Sequence, residues 1–299
     1  MRGECETVDT SCCACCGIAE IDDIKLMECD GCDLVRYCGD ECKREHETQH
    51  EEDCKKRAAE LREELLFKQP ENSHRGDCPI CSLPLPLDLS KSTMYECCSK
   101  FICKGCLLAN SIREGEQGLV NTCPFCRVSM FETEDERRRM KRIEANDPEA
   151  ICQEGAVQYD KGDFDRAFEF YAKSAELGNA EAHLQLSVMY RDGEGVGKDE
   201  GKYVHHLEEA AIGGHPDARF LLGCVEWRVG KKERAVKHWI IAATLGEDDS
   251  IKMLMKAFKL ELVDKDVLAA TLRAHKAAVD ATKSPQRKQF DELFGRGER

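Results

Sequence analysis

Beyond residue 147 the chain repeats itself. Equivalent positions Ala150, Ala182, Ala218 and Ser250 are separated by 32, 36 and 32 residues, and glycines close the units at Gly178, Gly214 and Gly246. A period in this range, with two helical segments per unit, predicts a helical solenoid in which each unit buries its apolar face against its neighbours. Small residues at Ala175, Ala210, Ala211, Ala242 and Ala243 would let paired helices approach closely. Gly162, Gly193 and Gly230 fall where the first helix of a unit should break before the second. About three units occupy residues 147–246, and residues 247–299 read as a capping pair of helices. His205, His206 and His215 read as surface or turn residues, and no nucleophile–base pair stands out in this half.

The first half follows other patterns. Residues 55–75 read as a charged helical spacer with Ala58, Leu61, Leu65 and Leu66 on one stripe. Just before it, Cys42, His46, His50 and Cys54 recur every four residues, which places all four on one helix face. Residues 131–146 read as a charged linker helix. Acidic residues Glu132, Glu134, Asp135 and Glu136 precede basic Arg137, Arg138, Arg139, Lys141 and Arg142, an order that complements the helix dipole. The alternative reading of that basic run is a nuclear-import or phosphate patch. The net charge of −14 and pI of about 5.2 argue against a nucleic-acid binder, because phosphate contacts need clustered Lys and Arg.

Cysteine changes the picture most. Of 20 cysteines, 18 lie between Cys5 and Cys126; only Cys152 and Cys224 lie beyond. They form C-x2-C doublets at Cys13/Cys16, Cys29/Cys32, Cys78/Cys81, Cys103/Cys106 and Cys123/Cys126. That spacing lets two thiolates meet one tetrahedral zinc while backbone N–H groups of the turn point at the sulfurs. A disulfide-rich secreted framework is the alternative, but the start MRGECETVDTSCC has no apolar signal region, and the remainder reads as an ordinary intracellular helical domain. No apolar run approaches the roughly 18 residues a membrane span requires. The expectation is therefore zinc in a reducing intracellular compartment, cytoplasmic or nuclear.

Residues 13–54 resemble the MYND zinc finger, down to Tyr37-Cys38 before the third pair and His50-x3-Cys54 at the end. The resemblance implies two interleaved zinc sites: Cys13, Cys16, Cys38 and Cys42 at one, Cys29, Cys32, His50 and Cys54 at the other. Cys12/Cys15 offers the same spacing as Cys13/Cys16, but Cys16-Gly17 matches the family's Cys-Gly, which leaves Cys5, Cys12 and Cys15 outside. The family usually carries Trp where this chain has His46, so His46 is either a packing substitute or a competing ligand. MYND fingers bind short proline-containing peptides, and some are inserted in SET-domain methyltransferases. Nothing in this chain resembles the SET motifs.

Residues 76–130 resemble a RING finger through Cys78-Pro-Ile-Cys81, Cys103-Lys-Gly-Cys106 and Cys123-Pro-Phe-Cys126. In the RING cross-brace Cys78, Cys81, Cys103 and Cys106 hold one zinc, and Cys123 and Cys126 hold the second with a middle pair. That pair is usually Cys-x-His; here Lys100 occupies the His position, and an ammonium offers no lone pair. The adjacent Cys97 and Cys98 are read as the replacement, which requires an unusual local backbone. RING domains orient a ubiquitin-charged conjugating enzyme. By resemblance, Ile80 and Pro124 match its apolar contacts, and Arg127 matches the cation that bonds both enzyme and ubiquitin.

The repeats resemble Sel-1-like units, relatives of the tetratricopeptide repeat, through Ala182-x3-Leu186, Tyr190-x2-Gly193 and the insertion GEGVGKD. The expected fold is multidomain: a flexible stretch to residue 12, then two small zinc-stabilised modules, MYND-like and RING-like, followed by an all-α solenoid. It would carry four zinc ions. Its expected function is a RING-type ubiquitin ligase that recruits a conjugating enzyme and selects protein substrates or peptides with the MYND finger and repeats. The alternative is a non-catalytic scaffold of the same modules.

Overall fold

A computed structural model describes residues 12–20, 25–118, 122–128 and 135–294. Cys5, the acidic Glu132 and Glu134 and most of the expected flexible stretch lie outside them. The chain divides into two compact units, Met1–Lys68 and Gln69–Arg299.

In the first unit, β1 (Met27–Glu28) pairs antiparallel with β2 (Arg36–Tyr37), with Met27 opposite Tyr37. Bridges from Cys12 to Ala19 and from Cys13 to Arg36 tie the preceding turn to this ribbon. The helix α1 then runs unbroken over Asp40–Phe67. The division expected at residue 54 therefore falls inside a single helix. No Gly or Pro interrupts the stretch, and ion pairs such as Lys55–Glu51 and Arg57–Glu64 line its surface. It ends at Phe67: Lys68 is already extended, and Pro70 keeps Gln69, the residue before it, out of helical geometry. The expected apolar stripe of the spacer is only partly used: Leu66 is buried, but Leu65 is 53% exposed.

The second unit opens with a hairpin, β3 (Ser92–Tyr95) and β4 (Lys100–Cys103), in which Ser92 faces Cys103. Helix α2 (Lys104–Glu116) follows directly, its first turn capped by the Cys103 sulfur accepting from the Cys106 N–H. The charged linker forms α3 (Asp135–Glu144). Its basic run is partly structural. Arg139 is buried and donates to Glu154 at 2.8 Å and to Glu96 at 2.9 Å, and Arg142 pairs with Asp147.

The solenoid comprises α4 (Pro148–Asp160), α5 (Phe164–Glu176), α6 (Ala180–Asp192), α7 (Glu200–Ile212), α8 (Pro216–Arg228) and α9 (Lys232–Thr244). Side chains of Asp147, Asp163, Asn179 and Asp199 accept from first-turn N–H groups and so fix where helices begin. The glycines expected to break or close the units all take positive φ, between 78 and 97°.

Each unit pairs a small residue on its first helix with an aromatic on its second. Gly155, Ser187 and Gly223 follow the repeat period, as do Tyr171, Tyr203 and Trp239. A Cβ on Gly223 would sit 2.3 Å from the Trp239 ring nitrogen, and one on Gly155 would sit 2.7 Å from the Tyr171 ring. Tyr171 and Trp239 are thus held close against backbone, and all three aromatics are almost wholly buried.

Among its described residues the tail holds three helices rather than the expected pair. Helices α10 (Asp248–Lys259) and α11 (Lys265–Ala281) pack on α9 and cap the solenoid. The third, α12 (Pro285–Phe294), packs instead against α2 of the cysteine-rich module. Among the described residues no helix is long and apolar enough to cross a membrane.

Candidate metal centres

Three of the C-x2-C doublets share one backbone. The N–H of the first cysteine donates to the carbonyl five residues on: Cys13 to Ile18 at 2.7 Å, Cys78 to Leu83 at 2.9 Å and Cys123 to Val128 at 2.8 Å. The carbonyl of that cysteine accepts from the residue after the second: Gly17 at 2.8 Å, Ser82 at 2.8 Å and Arg127 at 3.0 Å. The closing residue is left-handed each time, with φ of 76° at Gly17, 52° at Ser82 and 61° at Arg127. This turn brings both sulfurs to one side.

Among the described residues four groups of candidate ligand atoms result, each with all members within 4.8 Å of one another: Cys13, Cys16, Cys38, Cys42; Cys29, Cys32, His50, Cys54; Cys78, Cys81, Cys103, Cys106; and Cys97, Cys98, Cys123, Cys126. The two groups in each module alternate along the chain. Recorded sulfur–sulfur separations run from 3.4 Å for Cys126–Cys97 to 3.9 Å for Cys81–Cys103. A disulfide would need about 2.05 Å. A tetrahedral zinc with sulfurs at about 2.3 Å needs edges of about 3.8 Å. The residues present fit zinc, which is the cofactor these centres suit.

Electrostatics point the same way. In each group one thiol, always the first of a knuckle, is shifted down. For Cys13 burial opposes the shift, yet the N–H groups of Cys16, Cys38 and Cys15 bring it to about 6. For Cys78 a hydrogen bond from the Cys103 thiol outweighs burial, backbone N–H groups add to it, and the value falls to about 4. Cys29 and Cys123 are lowered by backbone donors of their own turns, again against burial. Neighbouring thiols move up: burial and the hydrogen bond to Cys29 take Cys54 to about 12, while burial and Cys123 take Cys98 to about 11. Sulfurs this close cannot all ionise without a cation among them. A dication that displaces the remaining protons resolves the conflict.

His50 enters its group with Nε2 3.1 Å from the Cys32 sulfur. His46 does not. Its Nδ1 lies 3.2 Å from the Tyr37 hydroxyl and its ring stacks on His50, so it packs beside the centre. Cys12 and Cys15 also fall outside the groups; the Cys15 thiol faces Glu45 at 3.6 Å. Cys97 and Cys98 both enter the fourth group, and the unusual backbone appears at the next residue, Ser99, with φ of 51°. Lys100 is no ligand: its ammonium sits 4.8 Å from the centre of the Phe125 ring, a cation–π contact against the knuckle. Of the three residues marked as partner contacts, Ile80 is 44% exposed, Arg127 is exposed and Pro124 is half-buried.

A fifth cluster was not legible in the sequence. His74, Glu181 and His215 gather within 4.8 Å. His215, expected at the surface, is buried; its Nε2 lies 3.1 Å from Glu181. The His74 and His215 rings stack at 3.9 Å with planes 10° apart. Ligand lone pairs lie in the ring plane, so parallel rings do not converge on one ion. The backbone N–H of His74 also donates to the Gly214 carbonyl at 3.0 Å, and the cluster docks the segment before the hairpin onto the repeats. His206, also expected at the surface, is half-buried and stacks on Tyr190.

Comparison with known proteins places names on two regions. The MYND finger family model matches residues 13–54, and the Sel1 repeat model matches 151–179, 180–215 and 216–247. Chitin synthase regulatory factor 4 of Schizosaccharomyces pombe is 31% identical over 86 residues, 28% of this chain and 14% of that protein. An uncharacterized protein of Neisseria meningitidis serogroup B is 45% identical over 53 residues, 18% of this chain and 11% of its own length. This chain thus spans a small fraction of either relative. A Sel1 repeat protein from Oxalobacter formigenes aligns with TM-score 0.44 at 19% identity, covering 64% of this chain and 86% of that one. A protective antigen of uropathogenic Escherichia coli with an SLR fold aligns with TM-score 0.38 at 19% identity, covering 65% and 41%. Residues 13–54 are a MYND finger, and residues 151–247 are three Sel1 repeats.

Proposed function

We propose that residues 76–130 are a RING-type cross-brace and that this chain acts as a RING-type ubiquitin ligase inside the cell. In this reading the MYND finger (13–54) and the repeats (147–246) select protein substrates, and the sixteen grouped residues hold four zinc ions. The observation that carries it is the fourth group, in which Cys97 and Cys98 complete a four-sulfur set with Cys123 and Cys126. The histidine absent at position 100 is then replaced rather than lost. Ile80 and Arg127 facing solvent add support, since a conjugating enzyme must reach both.

Such a ligase forms no covalent intermediate. It holds the ubiquitin thioester in its reactive arrangement. Arg127 would bond enzyme and ubiquitin together only in that arrangement, so it acts on rate more than on affinity.

The test is discharge of ubiquitin from a panel of charged conjugating enzymes. Wild-type protein should accelerate discharge with at least one. Arg127→Gly suits the left-handed backbone there and isolates loss of the guanidinium; it should slow discharge while affinity for the uncharged enzyme holds. Ile80→Ala should weaken affinity itself. No discharge with any enzyme would leave the second reading, a non-catalytic scaffold. That reading is favoured by the MYND finger and the Sel1 repeats, which are protein-interaction modules.

A further inference from the structure

The last helix reaches back some two hundred residues to touch a metal centre. Arg287, on α12, is 8% exposed. Its guanidinium donates to the carbonyls of Pro84 at 2.7 Å, Leu83 at 3.2 Å and Thr282 at 2.5 Å, and to the Cys81 sulfur at 3.5 Å. Pro84 and Leu83 lie immediately beyond the Cys78/Cys81 knuckle. On the other side of the same centre, Gly105 sits between ligands Cys103 and Cys106. A Cβ there would stand 2.6 Å from the Arg287 backbone nitrogen. The close approach of α12 to α2 therefore depends on Gly105, and it positions Arg287 against the knuckle.

Charge gives this contact its meaning. Four thiolates around a dication leave a net charge of −2, here with Cys78 and Cys103 fully buried. Such a charge is stable only where N–H donors and cations surround it. The knuckle amides supply part, and Arg287 supplies a full positive charge and a forked donor. We propose that Arg287 is an outer-sphere partner of the zinc held by Cys78, Cys81, Cys103 and Cys106, so that metal occupancy and docking of the C-terminal helix stabilise each other. By linkage the coupling is reciprocal: whatever loosens α12 loosens the ion, and loss of the ion releases α12. Ile80 stays exposed beside this contact, so α12 braces the knuckle without covering that residue. The inference rests on zinc binding by this group of four, and its test separates the two.

Full-length zinc-loaded protein is titrated with a chelator of known zinc affinity, and bound ions are counted by native mass spectrometry. Hydrogen exchange over residues 285–294 is followed in parallel. Arg287→Met should release one of the four ions at about 10- to 100-fold lower free chelator, leaving the other three in place. Arg287→Lys keeps the charge without the fork and should recover part of the loss. Gly105→Ala alters neither Arg287 nor a ligand, yet should reproduce the Met effect by displacing α12. In wild type, removal of that ion should speed exchange across 285–294. A wild-type chelator profile for Arg287→Met and Gly105→Ala, or unchanged exchange on metal loss, would overturn the coupling. Wild-type protein with no zinc at Cys78, Cys81, Cys103 and Cys106 would instead overturn the premise, and the coupling with it.

Discussion

The cysteine-rich modules and the solenoid solve the same problem with different chemistry. In the module of residues 76–128 the buried cluster comprises Cys78, Leu85, Tyr95, Ile102, Cys103, Cys106 and Cys123, so candidate ligands make up most of the core. Where the last repeat meets the capping helices the cluster is Ala235, Val236, Trp239, Ala243, Leu254, Ala257, Val263 and Leu268, with no candidate ligand among them. A core built from ligands is stable only with its ion. A core built from apolar contacts is stable without it.

The largest expected effect follows from that contrast. A structural zinc in a small finger contributes roughly 10–16 kcal/mol of apparent binding energy at neutral pH. Excess chelator should therefore abolish amide-exchange protection in residues 25–67 and 76–128, while α4 to α11 keep theirs. Loss of protection throughout would show that the solenoid also depends on metal.

A smaller effect should appear on the other side. Trp239 is fully buried, with its ring against Gly223 and its N–H donating to the Phe220 carbonyl at 3.3 Å. Trp239→Ala should cost about 3–5 kcal/mol in urea unfolding of the solenoid, with the zinc count unchanged. A loss of bound zinc in this variant would join the two regions that the contrast separates.

The smallest effect is a pH dependence carried by one histidine of the solenoid. His238 is fully buried, and burial first, then Arg219 and Arg234, hold it neutral down to about 3; Glu226 lies 4.0 Å away. An unfolded histidine takes a proton near 6.5, so below that pH the unfolded chain binds a proton the folded chain refuses. Stability is therefore full well above 6.5 and falls as pH falls, by about 1.7 kcal/mol between pH 6.5 and 5, the slope approaching about 1.4 kcal/mol per unit at the lower end. Urea midpoints of wild type and His238→Gln at both pH values measure it. The variant should have the flatter dependence, and equal slopes would count against the assignment.

The difference in chemistry also governs what could be read in advance. Ligand chemistry restricts residue type at fixed local spacing, so the grouping of Cys13 with Cys16, or Cys123 with Cys126, is visible in a few residues. The repeats declared themselves through period: Ala150, Ala182 and Ala218 recur in register. What stayed hidden depends on long-range contact between ordinary sequences. Arg287 carries no local mark of a metal neighbour, and the stacking of His74 on His215 joins residues 141 positions apart. His215 looked like a turn residue because it is one, at the N-cap of α8; its burial comes from a distant segment folding over it. Lys100 could be read as a missing ligand but not as a cation placed over Phe125, which needs the knuckle's three-dimensional course.

The central claim is that four dications hold the first half together through the residues grouped here. Native mass spectrometry of the full chain, purified under reducing conditions, tests it most directly. Wild-type protein should carry four zinc ions, Cys97→Ser three, and Lys100→Ala four. A wild-type chain without bound metal, its mass reduced by paired hydrogens of disulfides, would contradict the account.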